Sequence, residues 1–280
     1  MNQRPRALFI GIYSVVSLLG VVLGSLQLIN GFSLSVMALL MSAAPMTIFL
    51  LKLFLTDVAR TSRFLPMFSM VVMGALFILI YNLSIGGNFE WLEVLTIICL
   101  VGWGLYIFWY SVFPDRYTEK LAVGQQLINF PLEATSGQEV TSRTFLGARN
   151  IFLFYRGNWC PLCTTQIKEL SEAYKSLEAQ KIQTHLISPQ SHKQTQSIAD
   201  KYDVGFNYWI DKDNTAAKAL GIFAKNGLPF GLQALGYESD TVLPTVIMTD
   251  EKGKIVYADQ TSNYRVRPEP AVFLEIFSNY

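Results

Sequence analysis

The sequence predicts a chain in two parts, a bundle of four membrane-spanning helices followed by a soluble α/β domain. Two observations carry this. Hydrophobic residues make up 51% of the chain and charged residues only 15%, against about a quarter charged in an ordinary soluble protein. The deficit falls between Ala7 and Phe113, while Asp115 to Tyr280 has an ordinary mixed surface. Near Pro114 the pattern also changes, from long apolar runs to short ones alternating with amphipathic stretches, as β-α-β units do. The division is placed at 1–117 and 118–280.

A spanning helix needs roughly 20 mainly apolar residues. Four windows qualify: Ala7 to Ile29, Phe32 to Leu55 (interrupted by Pro45), Leu65 to Leu83, and Trp91 to Phe113. The first is too long for a signal core and has no prompt small-x-small cleavage site, so it reads as a retained anchor. Arg4, Arg6, Lys52, Arg60, Arg63, Arg116 and Lys120 all fall on one side of the resulting topology. The excess of Lys and Arg marks the cytoplasmic face, which predicts both termini and the soluble domain in the cytoplasm, at the inner membrane. Lys52, Glu90 and Glu93 lie near segment ends, within reach of the interface. Cys99 reads as a small buried hydrophobe. The bundle is expected to be an anchor in the lipid bilayer, with a pocket for a lipid-soluble partner as the alternative.

In the second part, strands are expected at Leu127 to Leu132, Asn150 to Tyr155, Thr184 to Ser188 and Asn207 to Ile210. Val242 to Thr249 and Lys254 to Ala258 read as a hairpin. Helices are expected from the cysteine pair to about Gln180, at Gln194 to Tyr202, Asn214 to Leu220 and Ala271 to Ser278. The Gly-rich stretch Asn226 to Asp240 reads as a long loop. His185 falls in a strand and His192 in a loop, and neither forms an evident nucleophilic pair with a cysteine. A net charge of +1 gives no basic face for nucleic acid.

Trp159-Cys160-Pro161-Leu162-Cys163 places a C-x-x-C pair where a buried strand gives way to a helix. Only a thiolate attacks a disulfide. A helix N-terminus offers the first sulfur unpaired N–H groups and the positive end of the dipole. Two intervening residues let the second sulfur resolve a mixed disulfide, and Pro161 suits the first helical turn. A zinc site would need two more ligands, and the chain offers one other Cys and two His. A structural disulfide is at odds with a reducing compartment. No metal and no cofactor are expected.

Phe154-Tyr155-Arg156-Gly157-Asn158-Trp159-Cys160-Pro161-Leu162-Cys163 resembles the active-site segment of the thioredoxin superfamily, in its peroxiredoxin-like AhpC/TSA branch. Val123-Gly124 with Asn129-Phe130-Pro131-Leu132, Leu243-Pro244-Thr245-Val246 and Asn263-Tyr264-Arg265-Val266-Arg267-Pro268-Glu269-Pro270 agree with it. The likeness covers Ala122 to Tyr280 and implies an α/β thioredoxin-like domain with Pro244 cis, packed against the cysteine pair and bordering the substrate groove. Two departures stand out. The peroxidase pattern P-x-x-x-T-x-x-C, aligned on Cys163, finds Arg156 and Cys160 at its proline and threonine, and its later arginine falls near Pro244. The buried acid of thioredoxin proper falls at Phe154.

The expectation is a membrane-anchored thiol–disulfide oxidoreductase in which Cys160 attacks and Cys163 resolves. Trp159, Pro161 and Pro244 form the substrate contact surface, Arg156 can stabilise a thiolate, and Glu169 can accept a proton. A thiol-dependent peroxidase with Cys163 striking first, an antioxidant activity, is the alternative. A non-enzymatic membrane redox sensor is the reading from another class. The partners implied are a protein or small-molecule disulfide or a peroxide as substrate, and a thiol as electron donor.

Overall fold

The computed structural model describes residues 2–279, which form two compact units. One comprises Pro5–Asp57 and Thr61–Phe113. The other takes in the chain up to Arg4, Val58–Arg60, and the described chain from Pro114 onward.

The first unit is built from α1 (Arg4–Asn30), α2 (Leu34–Leu55), α3 (Pro66–Ser84) and α4 (Trp91–Leu105), the last continued by a π-helical turn over Tyr106–Tyr110. All four are long and apolar enough to cross a membrane. Ser33 starts α2 by accepting the Val36 N–H at 3.2 Å, as an N-cap serine does. Glu93 does not reach outward as expected. It is 2% exposed and accepts the Glu90 N–H at 3.0 Å, because the open N-terminal N–H groups of α4 attract a carboxylate. Helices approach closely where side chains are small: a Cβ on Gly102 would lie 2.2 Å from the Tyr13 ring. That contact lets the Tyr13 hydroxyl donate to the Cys99 carbonyl at 3.2 Å. Cys99 packs with Leu39 and Ala43 in the bundle core. Ile12, Phe54, Phe77 and Phe108 face outward, which suits a lipid surroundings rather than water. The fourth helix ends at Tyr110 rather than Phe113. There Arg6 donates through Nη2 to the carbonyls of Trp109 and Val112, at 3.3 and 3.0 Å, and takes up the orphan acceptors of the helix end.

The second unit contains a seven-stranded mixed sheet. Its strands are β1 (Pro131–Ala134), β2 (Glu139–Thr141), β3 (Arg149–Phe154), β4 (Ile182–Ser188), β5 (Asn207–Ile210), β8 (Thr245–Thr249) and β9 (Ile255–Ala258), in the order β2-β1-β5-β4-β3-β8-β9. A two-stranded ribbon joins β6 (Phe223–Ala224) to β7 (Thr241–Val242). Strands β3, β4 and β5 run parallel, and the outer pairings are antiparallel. Ile151, Phe152, Leu153 and Phe154 are all buried, as a strand covered on both faces requires. The helices are α5 (Pro161–Glu172), α6 (Tyr174–Ala179), α7 (His192–Lys201), α8 (Thr215–Leu220) and α9 (Pro270–Ser278).

Three expectations are corrected here. The first strand lies at Pro131–Ala134, not Leu127 to Leu132, because its register is set by pairing with β2 and β5. The helix expected to run to Gln180 breaks at Ala173, whose backbone leaves the helical region at ψ 0°. The strand expected over Val242 to Thr249 splits into β7 and β8, since Pro244 has no N–H to give to a ladder.

His185 is a packing residue. It is 1% exposed and stacks on Phe152 with ring centroids 4.9 Å apart. Its Nε2 meets Asn150 Oδ1 at 3.0 Å, and its Nδ1 accepts the Trp209 indole N–H at 3.1 Å. Burial lowers its pKa to about 3. The unfolded chain, with a His near 6.5, therefore binds a proton that the fold excludes. Stability is retained above pH 6.5 and lost as pH falls toward 3, by up to about 1.4 kcal/mol per pH unit. Acid unfolding followed by tryptophan fluorescence should show a shallower slope in that window for His185→Gln.

Candidate active site

The site stands at the end of β3. Tyr155 extends that strand's pairing, donating to the Ile187 carbonyl at 2.9 Å, and the chain then turns through Arg156-Gly157-Asn158-Trp159. Gly157 has φ +145°, and a Cβ there would sit 2.6 Å from Trp159 Nε1, so the turn is open to glycine alone. The Asn158 N–H donates to Gln190 Oε1 at 2.8 Å. The Arg156 guanidinium lies 4.6 Å from the Trp159 ring centroid and donates to the Gly227 carbonyl at 2.6 Å. Helix α5 follows, with Cys160 as N-cap and Pro161 in its first turn.

The two sulfurs are both free thiols, yet their surroundings differ. Cys160 is 3% exposed and Cys163 0%. The Cys160 carbonyl accepts the N–H groups of Cys163 and Thr164 at 3.0 and 3.1 Å, but its side chain takes no helical N–H. Three donors converge instead on Cys163: the Cys160 thiol, the Arg156 backbone N–H and Arg267 Nη1, at 3.5 Å from the sulfur. Burial pushes the Cys163 thiol up, but these hydrogen bonds and the Arg267 charge outweigh it and hold Cys163 well below the ordinary range. Cys160 is pushed well above it by its hydrogen bond to Cys163, reinforced by burial. The two shifts run in opposite directions, and of the two sulfurs Cys163 is the one these surroundings favour as thiolate.

Arg267 is 6% exposed. Its Nε donates to the Tyr264 carbonyl at 3.0 Å and its Nη1 also to Gln166 Oε1 at 3.0 Å, while Nη2 is buried without a hydrogen-bond partner. The run Asn263 to Pro270 was singled out for its resemblance, but nothing in its local pattern gave Arg267 a role. Arg116 was likewise read only as a topology marker. It is 3% exposed, and its Nη2 bonds the Pro244 carbonyl, Thr245 Oγ1 at 3.2 Å and the Asp259 carbonyl at 3.0 Å. Burial, its largest influence, lowers its pKa to about 10, so it stays charged at neutral pH.

Arg156 and Trp159 line an open cleft of about 390 Å³ with Pro189, Gln190, Tyr237 and Thr241. Pro161, half-buried, and Pro244, buried, are not among its lining residues. The expected cis bond is absent: no described peptide is cis, and Leu243–Pro244 takes the trans form that X-Pro bonds favour by about 0.5–1 kcal/mol. Glu169 is engaged by Arg60. His192 pairs with Glu133 at 2.7 Å. Among the described residues no three His, Cys, Asp or Glu side chains gather as metal ligands.

Comparison with known proteins places this geometry. Residues 123–258 match the AhpC/TSA family model. The thiol-disulfide oxidoreductase ResA of Halalkalibacterium halodurans is 27% identical over 164 residues, 58% of this chain and 81% of that protein. A protein named as a peroxiredoxin, bcp, of Coxiella burnetii is 29% identical over 135 residues, covering 48% and 85%. The peroxidoxin BcpB structure from Mycobacterium tuberculosis aligns with TM-score 0.47 and 15% identity, over 57% of this chain and 97% of that one. Residues 123–258 are thus similar to the AhpC/TSA family, and they follow four apolar helices.

Proposed function

We propose that the protein is a membrane-anchored thiol–disulfide oxidoreductase working through Cys160 and Cys163 as a dithiol monoanion, with the charge resting on Cys163. The observation that carries this is the convergence of Arg267, the Arg156 N–H and the Cys160 thiol on one buried sulfur. A disulfide meets Cys160 first, the more exposed sulfur. Cys160 passes its proton to Cys163 as it attacks, the substrate S–S bond breaks, and one substrate thiolate leaves. Cys163 gives that proton to the departing thiolate and, ionised again beside Arg267, displaces the second thiolate and closes the Cys160–Cys163 disulfide. Two electrons have passed to the substrate, and a thiol donor restores the dithiol. Phe154 occupies the place of thioredoxin's buried acid, so Arg267 is assigned the task of keeping the resolving sulfur ionised. Trp159 and Arg156 border the approach through the cleft.

A second reading is favoured by the unpartnered Nη2 of Arg267, a donor next to the thiolate. A hydroperoxide is small enough to reach Cys163, whose attack would break the O–O bond, giving a sulfenic acid and an alkoxide that takes up a proton. Cys160 would then condense with it, releasing water. Cys163→Ser should abolish both disulfide reduction and peroxide consumption. Cys160→Ser should abolish disulfide turnover but leave one equivalent of peroxide consumed if the second reading holds. Arg267→Met should raise the pH midpoint of Cys163 alkylation by about one unit, which slows alkylation about tenfold at pH values below the wild-type midpoint. An unchanged profile would remove Arg267 from the mechanism.

We infer that the redox domain lies on the cytoplasmic side of the inner membrane. Arg4, Arg60 and Arg116 belong to its compact unit, on segments that precede α1, join α2 to α3 and follow α4. Cytoplasmic loops are enriched in such residues. A reporter fused after Tyr280 should be active only in the cytoplasm.

A further inference from the structure

The dithiol's charged neighbour, Arg267, lies on the segment between β9 and α9. Something must hold that segment against α5 for the 3.5 Å contact to persist. Its own side chain supplies part of this, through Tyr264 and Gln166. A further part comes from Arg60, 207 residues earlier in the chain. Arg60 Nε donates to the Arg267 carbonyl at 3.1 Å and Nη2 to the Pro268 carbonyl at 3.4 Å. Nη1 reaches Glu169 Oε1 at 3.2 Å and Glu269 Oε1 at 3.4 Å, and Nη2 also binds Glu169 Oε2. These are five bonds from a group with five N–H donors.

We propose that Arg60 is a positioning residue for the dithiol, fastening the Arg267–Glu269 segment to the Glu169 carboxylate of α5 so that the Arg267 guanidinium stays on Cys163. Glu169 and Cys163 share one helix, and Arg267 and Glu269 share one segment. Arg60 therefore bridges the two backbones whose spacing sets the sulfur–guanidinium contact. An exposed ion pair alone contributes little, but here the side chain is only 25% exposed and two of its bonds go to backbone carbonyls. Lysine could supply the charge but not the planar fork that reaches a carboxylate and two carbonyls together.

The inference rests on the reading of Cys163 as the Arg267-stabilised thiolate, and the test separates the two. In the full-length protein in detergent, iodoacetamide alkylation of Cys163 is followed by mass spectrometry across pH for wild type, Arg60→Ala, Arg60→Lys and Arg267→Met. Arg60→Ala should move the Cys163 midpoint upward by less than a full pKa unit, which slows its alkylation about fivefold at pH values below the wild-type midpoint. Arg60→Lys, which keeps the charge, should recover only part of the rate and fold with an unchanged thermal midpoint. An Arg60→Ala or Arg60→Lys profile superimposed on wild type, with Arg267→Met displaced, overturns the positioning role and leaves the thiolate reading standing. If Arg267→Met is also superimposed on wild type, both fall.

Discussion

The contact between Arg267 and Cys163 is the constraint on which the site depends. A sulfur with no exposed surface pays heavily to ionise, since a charge removed from water is stable only when paired and hydrogen-bonded. Arg267 supplies the opposite charge inside the protein, and it does so from a segment far from the cysteine motif. The closing stretch Asn263 to Pro270 must therefore lie over the start of α5, and α9, beginning at Pro270, can leave only after that segment is in place. The tail and the start of α5 are thus brought together at one contact.

The sheet explains why the pair sits where it does. Parallel β3 and β4 end side by side, and the loops leaving them meet through Asn158 and Gln190. Crevices outside the carboxyl ends of parallel strands are the usual place for ligands in α/β folds, and the cleft beside Trp159 is of this kind. The antiparallel partner β8 brings Pro244 to the same end, where Arg116 holds its carbonyl. Two buried arginines, from the segment after α4 and from the tail, thus surround a site whose motif alone contains only Arg156.

What could be read in the sequence was what is local. The four apolar runs declare themselves by composition, and the C-x-x-C at a strand–helix junction by spacing. Asn207–Ile210 is found where the pattern placed it. The features that escaped are set by tertiary partners. The helix break at Ala173 and the displacement of β1 to Pro131–Ala134 depend on register and packing, which periodicity does not encode. The alignment correctly found no arginine at Pro244, but a guanidinium reaches the sulfur from 104 residues away by a different path. Spatial convergence of distant charges leaves no mark in a linear pattern.

Replacing a buried acid by a buried cation alters the proton bookkeeping of a dithiol. An acid at the position of Phe154 would take the proton from the resolving sulfur and hold it. Arg267 accepts no proton at any accessible pH, so it can stabilise the thiolate only by charge, and the proton must stay with the pair on Cys160. That proton is then available to each step in turn. In the proposed cycle it passes to Cys163 when Cys160 attacks a disulfide, and in the peroxide reading it leaves as part of the water formed when Cys160 condenses with the sulfenic acid. The same electrostatic arrangement serves both chemistries, and the difference between them reduces to which oxidant can reach which sulfur. Both sulfurs are buried, Cys163 at 0% and Cys160 at 3% exposure, so a small oxidant would have the easier path to either and a larger disulfide would meet Cys160 first. In the proposed function, the burial that gives Arg267 its task would then also sort the substrates.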